Sequence, residues 1–124
     1  MGYNVLIVDD SATMRKIVMR GLRQAGFDIG DCKEAGDGVE GLAALQGSKV
    51  DLILSDVNMP NMNGLDFVKA VSEKLAAAAP PIVMITTEGS EEVIKEAMSR
   101  GAKGYLKKPF TPDKIQEVIG PFLK

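Results

Sequence analysis

The sequence predicts an α/β domain in which a five-stranded parallel sheet carries helices on both faces. Three apolar runs, at residues 5–8, 52–54 and 82–85, are rich in β-branched residues, continuous, and too short to be helices. Strands that are buried on both faces of a parallel sheet have this character. Segments of helical periodicity separate the runs, and such alternation is typical of parallel sheets joined by right-handed crossovers.

Two weaker strands complete the predicted sheet. Residues 31–35 are polar and fit an edge strand, and residues 104–107 form a short strand close to Pro109. The chain is therefore a strand–helix unit repeated five times, ending on a helix. We predict one domain over residues 1–124, because this length suits a single domain with its own core.

Each helix is predicted from an apolar stripe, and three of them also from a capping pattern. The capping patterns are Asp37 with Glu40 three residues later, Ser90, and Thr111 before Pro112. The five stripes, in chain order, are Met14, Ile17, Val18, Gly21, Leu22 and Ala25; Val39, Leu42 and Ala43; Phe67, Val68, Val71 and Leu75; Val93, Ile94, Ala97 and Met98; and Ile115, Val118, Ile119 and Phe122.

Composition excludes several classes of protein. Apolar residues are 45% and charged residues 26% of the chain, as in a folded globular domain. The net charge of −2 does not favour a nucleic-acid partner. No apolar run approaches the roughly 18 residues of a transmembrane helix, so we expect no membrane association. The lone Cys32 cannot form an intrachain disulfide, which favours a reducing, cytoplasmic compartment.

The chain contains no histidine. This excludes a Ser-His-Asp triad, a Cys-His pair and a His-ligated zinc site. It also excludes a phosphohistidine relay within the chain.

Polar side chains follow the predicted strands where each strand ends. The carboxyl ends of parallel strands meet at one edge of the sheet, which is where ligands bind in folds of this class. We therefore expect carboxylates, a hydroxyl and an ammonium group to converge there. They belong to Asp9, Asp10, Asp56, Thr86 and Lys108.

The chemistry of this group points to phosphoryl transfer. Each residue alone has a simpler explanation, since Asp10 or Ser11 could cap the first helix and Lys108 could be a solvated lysine. Three carboxylates brought together, however, repel one another unless a cation is present. Hard oxygen ligands suit Mg²⁺ or Mn²⁺, and Mg²⁺ commonly binds carboxylates together with phosphate oxygens. A carboxylate can also serve as the nucleophile that becomes an aspartyl phosphate.

Four segments resemble the receiver domains of response regulators, in particular single-domain members that act in chemotaxis. They are residues 5–11, 55–64, 84–86 and 104–110, and the resemblance extends over residues 4–123. It implies a doubly wound, flavodoxin-like sheet with five helices and strand order 2-1-3-4-5, an order for which receiver domains are themselves a standard example.

The resemblance also implies a role for each site residue. Asp56 corresponds to the phosphoacceptor, and Asp9 and Asp10 to the acidic pair that holds Mg²⁺ with Asp56. Asn58 stands where a backbone carbonyl completes the metal shell, and with Glu88 it flanks the water that removes the phosphoryl group.

The other implied roles concern switching. Thr86 corresponds to the hydroxyl that closes on the phosphoryl group, and Lys108 to the lysine that pairs with it, before a cis bond to Pro109. Tyr105 corresponds to an aromatic switch, whose inward rotamer the bulk of Thr87 could restrict.

The expected partners follow from the missing histidine and from the resemblance. The phosphodonor would be a separate histidine kinase or a small molecule such as acetyl phosphate. Because the sequence ends at Lys124, we expect no output domain. We expect a monomer whose surface is bound by a downstream protein, such as a flagellar motor switch component. A phosphatase would be a further partner. The family's output surface is formed by helix 4, strand 5 and helix 5; here it would include Ile94, Lys95, Met98, Tyr105, Lys107 and Lys114.

Alternatives remain at this point. The chain could be a receiver fragment of a larger regulator or a phosphorelay shuttle. A phosphatase of haloacid-dehalogenase type would need a second acid where Asn58 stands. A flavodoxin-like cofactor site would need a phosphate-binding loop where Asp9 and Asp10 would repel phosphate. We therefore expect no enzymatic activity beyond the chain's own phosphorylation and dephosphorylation.

Overall fold

A computed structural model of the chain describes residues 2–46, 49–86, 91–108 and 110–123. Its centre is a parallel sheet whose strands lie in the spatial order second, first, third, fourth, fifth. This confirms the predicted α/β fold and the strand order 2-1-3-4-5. The strands are β1 (Tyr3–Val8), β2 (Ile29–Ala35), β3 (Leu52–Asp56), β4 (Ile82–Thr86) and β5 (Gly104–Lys107).

Five α-helices in the described ranges cover the two faces of the sheet. One face packs against the first and fifth helices, and the other against the second, third and fourth. A short 3-10 helix, Ala76–Ala78, follows the third helix. In the part of the chain that the structure describes, no helix is long and apolar enough to cross a membrane. The helices are α1 (Ala12–Gln24), α2 (Gly38–Leu45), α3 (Gly64–Leu75), α4 (Glu91–Arg100) and α5 (Pro112–Ile119).

The alternation of side chains along the central strands explains why their sequences are continuously apolar. In β1, Val5 and Ile7 belong to the core beneath α1 and α5, whereas Leu6 and Val8 belong to the core beneath α2, α3 and α4. All four are buried. The edge strand β2 is more polar because it has a strand neighbour on one side only.

Capping side chains fix where the helices begin. Ser11, rather than Asp10, caps α1, and its hydroxyl accepts a hydrogen bond from the Met14 amide. Asp37 and Thr111 cap α2 and α5 as predicted. Asn63 caps α3, a role that the sequence analysis did not assign. Ser90, the predicted cap of α4, lies outside the described residues.

Three of the predicted apolar stripes are wrong in detail. Ile17 in α1 is 45% exposed and Val39 in α2 is 53% exposed. In α2 the buried positions are glycines, because a Cβ at Gly41 would lie only 2.8 Å from the ring of Phe67. This close approach turns α2 so that Val39 faces solvent. Met98 in α4 is likewise 43% exposed.

Candidate functional site

Three carboxylates meet where β1 and β3 end side by side. Asp9 and Asp10 follow β1, and Asp56 is the last residue of β3. One oxygen from each residue lies within 4.8 Å of the others. Asp9 is almost completely buried, Asp56 is half-buried and Asp10 is exposed. The structure therefore brings together the acidic group that the sequence predicted.

The two oxygens of Asp9 have different surroundings. Oδ1 accepts a hydrogen bond of 2.9 Å from the Ser11 amide, which also orders the start of α1. Oδ2 is buried, and no donor in the described ranges hydrogen-bonds to it. Buried carboxylate oxygens are nearly always paired, because desolvation without a partner is costly. A cation bound between the three carboxylates would satisfy this oxygen, so the site fits Mg²⁺ or another hard divalent ion.

Burial and mutual repulsion raise the pKa of two of these carboxyls. Desolvation is the main cause of the raised pKa of Asp9, and the charges of Asp56 and Asp10 add to it. Desolvation also raises the pKa of Asp56, against the opposing effects of Lys108 and the Val57 amide. The site thus holds more negative charge than its own residues neutralise.

Lys108 brings a positive charge to the acidic group. Its largely buried ammonium lies 3.8 Å from Oδ2 of Asp9, an ion-pair distance rather than a hydrogen bond. The Lys108 amide donates to the carbonyl oxygen of Thr86 at 2.7 Å, which ties the loop after β5 to the end of β4. Thr86 is itself buried at this edge. Both residues therefore stand at the same edge as the acidic group.

The remaining predicted residues lie around this centre. Asn58 is exposed in the loop after β3, and its backbone amide helps to lower the pKa of the Asp56 carboxyl against the effect of burial. Tyr105 is 45% exposed on β5. Three further residues of the sequence analysis, Thr87, Glu88 and Pro109, lie outside the described residues.

Arg15 is a residue of the site region that the sequence analysis missed. Its guanidinium donates to the carbonyl oxygen of Asp9 and forms an ion pair of 2.9 Å with Glu34 of β2. It therefore fastens the acidic loop to the edge strand. Its position one turn after Ser11 was the only available signal, since the pairing with Glu34 depends on the register between β1 and β2.

A groove lies on the predicted output surface, away from the acidic centre. Four of the residues expected on that surface line the groove: Met98, Tyr105, Lys107 and Lys114. Ile94 and Lys95 are not part of the lining that the described residues form. Residues that the sequence analysis did not place there complete it: Lys103, Gly104, Glu117, Val118 and Phe122.

Comparison with known proteins agrees with this geometry. The profile of the response regulator receiver domain family matches residues 5–120. The chain is a response regulator receiver domain. Such receivers act in two-component signalling, between a histidine kinase and a downstream target.

Individual relatives place this receiver among the CheY-like members. It is 40% identical to a chemotaxis protein CheY homolog of Campylobacter jejuni over 121 residues, which are 94% of this chain and 92% of the relative. A high-resolution structure of CheY4, a chemotaxis response regulator of Vibrio cholerae, superimposes with a TM-score of 0.84 at 41% identity, covering 99% of this chain and all of that one. A CheY-like receiver of Methanospirillum hungatei gives a TM-score of 0.78 at 26% identity, covering 94% of this chain and 90% of that one.

The raised pKa values of Asp9 and Asp56 predict how the stability of the metal-free receiver depends on pH. At pH values above about 4, the unfolded chain has released protons that the folded chain still binds. The contribution of these two carboxyls to the free energy of unfolding therefore falls as the pH rises through this window, until both are ionised. The variant Asp56→Asn removes one of the two groups and should show a shallower fall. Urea unfolding from pH 4 to 7 in EDTA measures the free energy of unfolding at each pH. An equal pH dependence in the variant and the wild type would contradict the electrostatic interpretation.

Proposed function

We propose that this receiver accepts a phosphoryl group on Asp56, from a partner histidine kinase and with the help of Mg²⁺, and thereby changes its output surface. One observation carries the proposal. The half-buried Asp56 shares a cluster with two further carboxylates, in which a buried oxygen of Asp9 accepts no hydrogen bond from the described residues and lies at ion-pair distance from the Lys108 ammonium.

The acidic cluster supplies a site for the metal. The carboxylates of Asp9, Asp10 and Asp56, with the backbone carbonyl of Asn58, would hold Mg²⁺, and Mn²⁺ has the same ligand preference. When bound, the ion neutralises charge on the transferring phosphoryl group. The residues themselves do the positioning, because Asp9 is fixed by the Ser11 amide and Asp56 by the Val57 amide at 2.8 Å.

Asp56 is suited to act as the nucleophile. A carboxylate oxygen attacks phosphorus as the bond to the donor breaks, which leaves an aspartyl phosphate and requires no proton transfer at Asp56. Since the chain has no histidine, the phosphohistidine donor must belong to another protein, and acetyl phosphate would be a small-molecule substitute. The acceptor is the chain's own carboxylate, so we propose that the chain catalyses only its own phosphorylation and dephosphorylation.

Lys108 and Thr86 connect the phosphoryl group to the rest of the fold. The group adds negative charge and acceptor oxygens close to the Lys108 ammonium and the Thr86 hydroxyl. Drawing Thr86 inward vacates space behind it, and Tyr105 on the neighbouring strand is the large exposed side chain that can fill it. Phosphorylation shifts the population toward this packing only by the difference in free energy with which the inward and outward packings bind the phosphoryl group.

The downstream partner would bind the groove beside Tyr105. The groove combines the apolar Met98, Val118 and Phe122 with lysines, so its lining changes when Tyr105 turns inward. The relatives of Campylobacter and Vibrio are named as chemotaxis proteins, which supports a target in chemotaxis, such as a flagellar motor switch component. We propose that the receiver acts as a monomer, and that a separate phosphatase can shorten the signal.

Phosphorylation should occur at Asp56 alone. With acetyl phosphate and Mg²⁺, the wild-type chain should gain about 80 Da, one phosphoryl group. Asp56→Asn should gain nothing, because an amide is not a competent nucleophile. Asp51→Asn is the matched control, since Asp51 lies before β3, at the opposite end of the strand from Asp56. Intact-mass spectrometry after a rapid acid quench measures the gain, and the same gain on Asp56→Asn would refute the assignment.

The Thr86 hydroxyl should be needed for Tyr105 to change its environment when a phosphoryl group is bound. The chain has two tyrosines and no tryptophan, so in a Tyr3→Phe background the fluorescence reports Tyr105 alone. Beryllofluoride with Mg²⁺, which stands in for the phosphoryl group, should change this fluorescence. Adding Thr86→Ala should remove most of the change, whereas Thr86→Ser, which keeps the hydroxyl, should retain it. An equal change in the alanine variant would contradict the proposed switch.

A further inference from the structure

The loop after β3 is tied at its tip to the start of α2. The Asn61 amide donates a hydrogen bond of 2.7 Å to Oδ2 of Asp37, a carboxylate that is only 6% exposed. Beside it, the Gly38 amide donates to the Met62 carbonyl oxygen at 3.1 Å. We call the Asp37–Asn61 hydrogen bond the loop latch.

The latch spans the end of β1. Asp37 follows β2 and Asn61 follows β3, and β1 lies between these two strands. The Asp9 amide donates to the Ala35 carbonyl oxygen at 3.0 Å, which holds the end of β1 against the end of β2. The latch therefore joins the two loops that flank the acidic residues of β1.

Asp37 is well placed to hold the loop firmly. Its Oδ1 accepts the Glu40 amide at 2.8 Å and so caps α2, which leaves Oδ2 for Asn61. These hydrogen bonds to the Glu40 amide and the Asn61 side chain lower the pKa of Asp37, so the latch has an ionised acceptor. The latch holds the backbone of Asn61 in an uncommon conformation. Its φ is +63°, which asparagine tolerates better than most residues.

The base of the same loop is closed as well. The Gly64 amide donates to the Val57 carbonyl oxygen at 2.7 Å, and a Cβ at Gly64 would lie 2.1 Å from the Asp56 carbonyl oxygen. With base and tip both fixed, the intervening segment that contains Asn58 has little freedom to move. A metal ligand supplied by this segment would thus be positioned before the metal binds.

We propose that Asp37 and Asn61 are positioning residues for the metal site, and that the latch sets the affinity for Mg²⁺ by holding the Asn58 segment in its binding shape. This inference rests on the proposed function, because it takes the Asn58 carbonyl as a metal ligand. Groups that orient metal ligands typically change metal affinity by about tenfold or more.

The test compares three variants by titration calorimetry with MgCl₂, using the full chain. Asn61→Gly removes the side-chain donor and keeps a residue suited to positive φ. Asn61→Asp places two carboxylates opposite each other. Both should raise the dissociation constant for Mg²⁺ about tenfold. The charge added by Asn61→Asp would by itself tighten cation binding, so weaker binding in that variant must come from the broken latch.

A double variant provides the rescue. In Asp37→Asn with Asn61→Asp, the amide at position 37 donates to the carboxylate at position 61, and asparagine still caps α2. The net charge equals that of the wild type, and the dissociation constant should return toward the wild-type value. Asp51→Ala is the stability control, because it removes a carboxylate that accepts the Asn4 amide at 2.8 Å at the opposite edge of the sheet. It should leave Mg²⁺ binding unchanged.

The outcomes separate the latch from the function on which it rests. Urea unfolding confirms that each variant is folded before titration. Wild-type Mg²⁺ affinity in both folded Asn61 variants, or failure of the double variant to recover, would overturn the latch while leaving the proposed function standing. Absence of Mg²⁺ binding in the wild-type chain would overturn both.

Discussion

Repulsion among three carboxylates is the constraint on which the rest of this receiver depends. Asp9, Asp10 and Asp56 are forced together because β1 and β3 are adjacent parallel strands that end at the same edge. Burial adds to the cost of ionising these groups, since desolvation is the main cause of the raised pKa values of Asp9 and Asp56. The fold keeps this arrangement in spite of its cost, and a divalent cation would satisfy the Asp9 oxygen that accepts no hydrogen bond from the described residues.

The surrounding structure compensates for the repulsion by fixing the backbone on every side. Ser11 links the site to α1, because its amide binds the Asp9 carboxylate while its hydroxyl caps the helix. Arg15 fastens the Asp9 carbonyl to β2. Lys108, in the loop after β5, places its ammonium beside Asp9, and its backbone amide is hydrogen-bonded to the Thr86 carbonyl oxygen. The residues proposed to sense the phosphoryl group are therefore already connected to the acidic centre.

The sequence was sufficient to predict the strands and the acidic centre, since both follow from periodicity and from the rule that parallel strands end at one edge. The strand order was implied by the resemblance to receiver domains. Helix faces were less predictable. Ile17 and Val39 fit the expected spacing, yet both are exposed, because the rotation of a helix depends on close approaches such as that of Gly41 to Phe67. Contacts between loops, such as Asp37 with Asn61, could not be predicted, because they depend on a backbone conformation without periodicity.

The most direct test of the account is the effect of Mg²⁺ on the thermal midpoint of unfolding. A cation that binds only the folded chain stabilises it by mass action. The wild-type midpoint should rise as Mg²⁺ is added from zero to millimolar concentrations. Asp9→Asn, which removes part of the repulsion and a ligand, should begin from a higher midpoint and gain much less. If the wild type and Asp9→Asn start from the same midpoint and respond equally to Mg²⁺, carboxylate repulsion is not the constraint that organises this site.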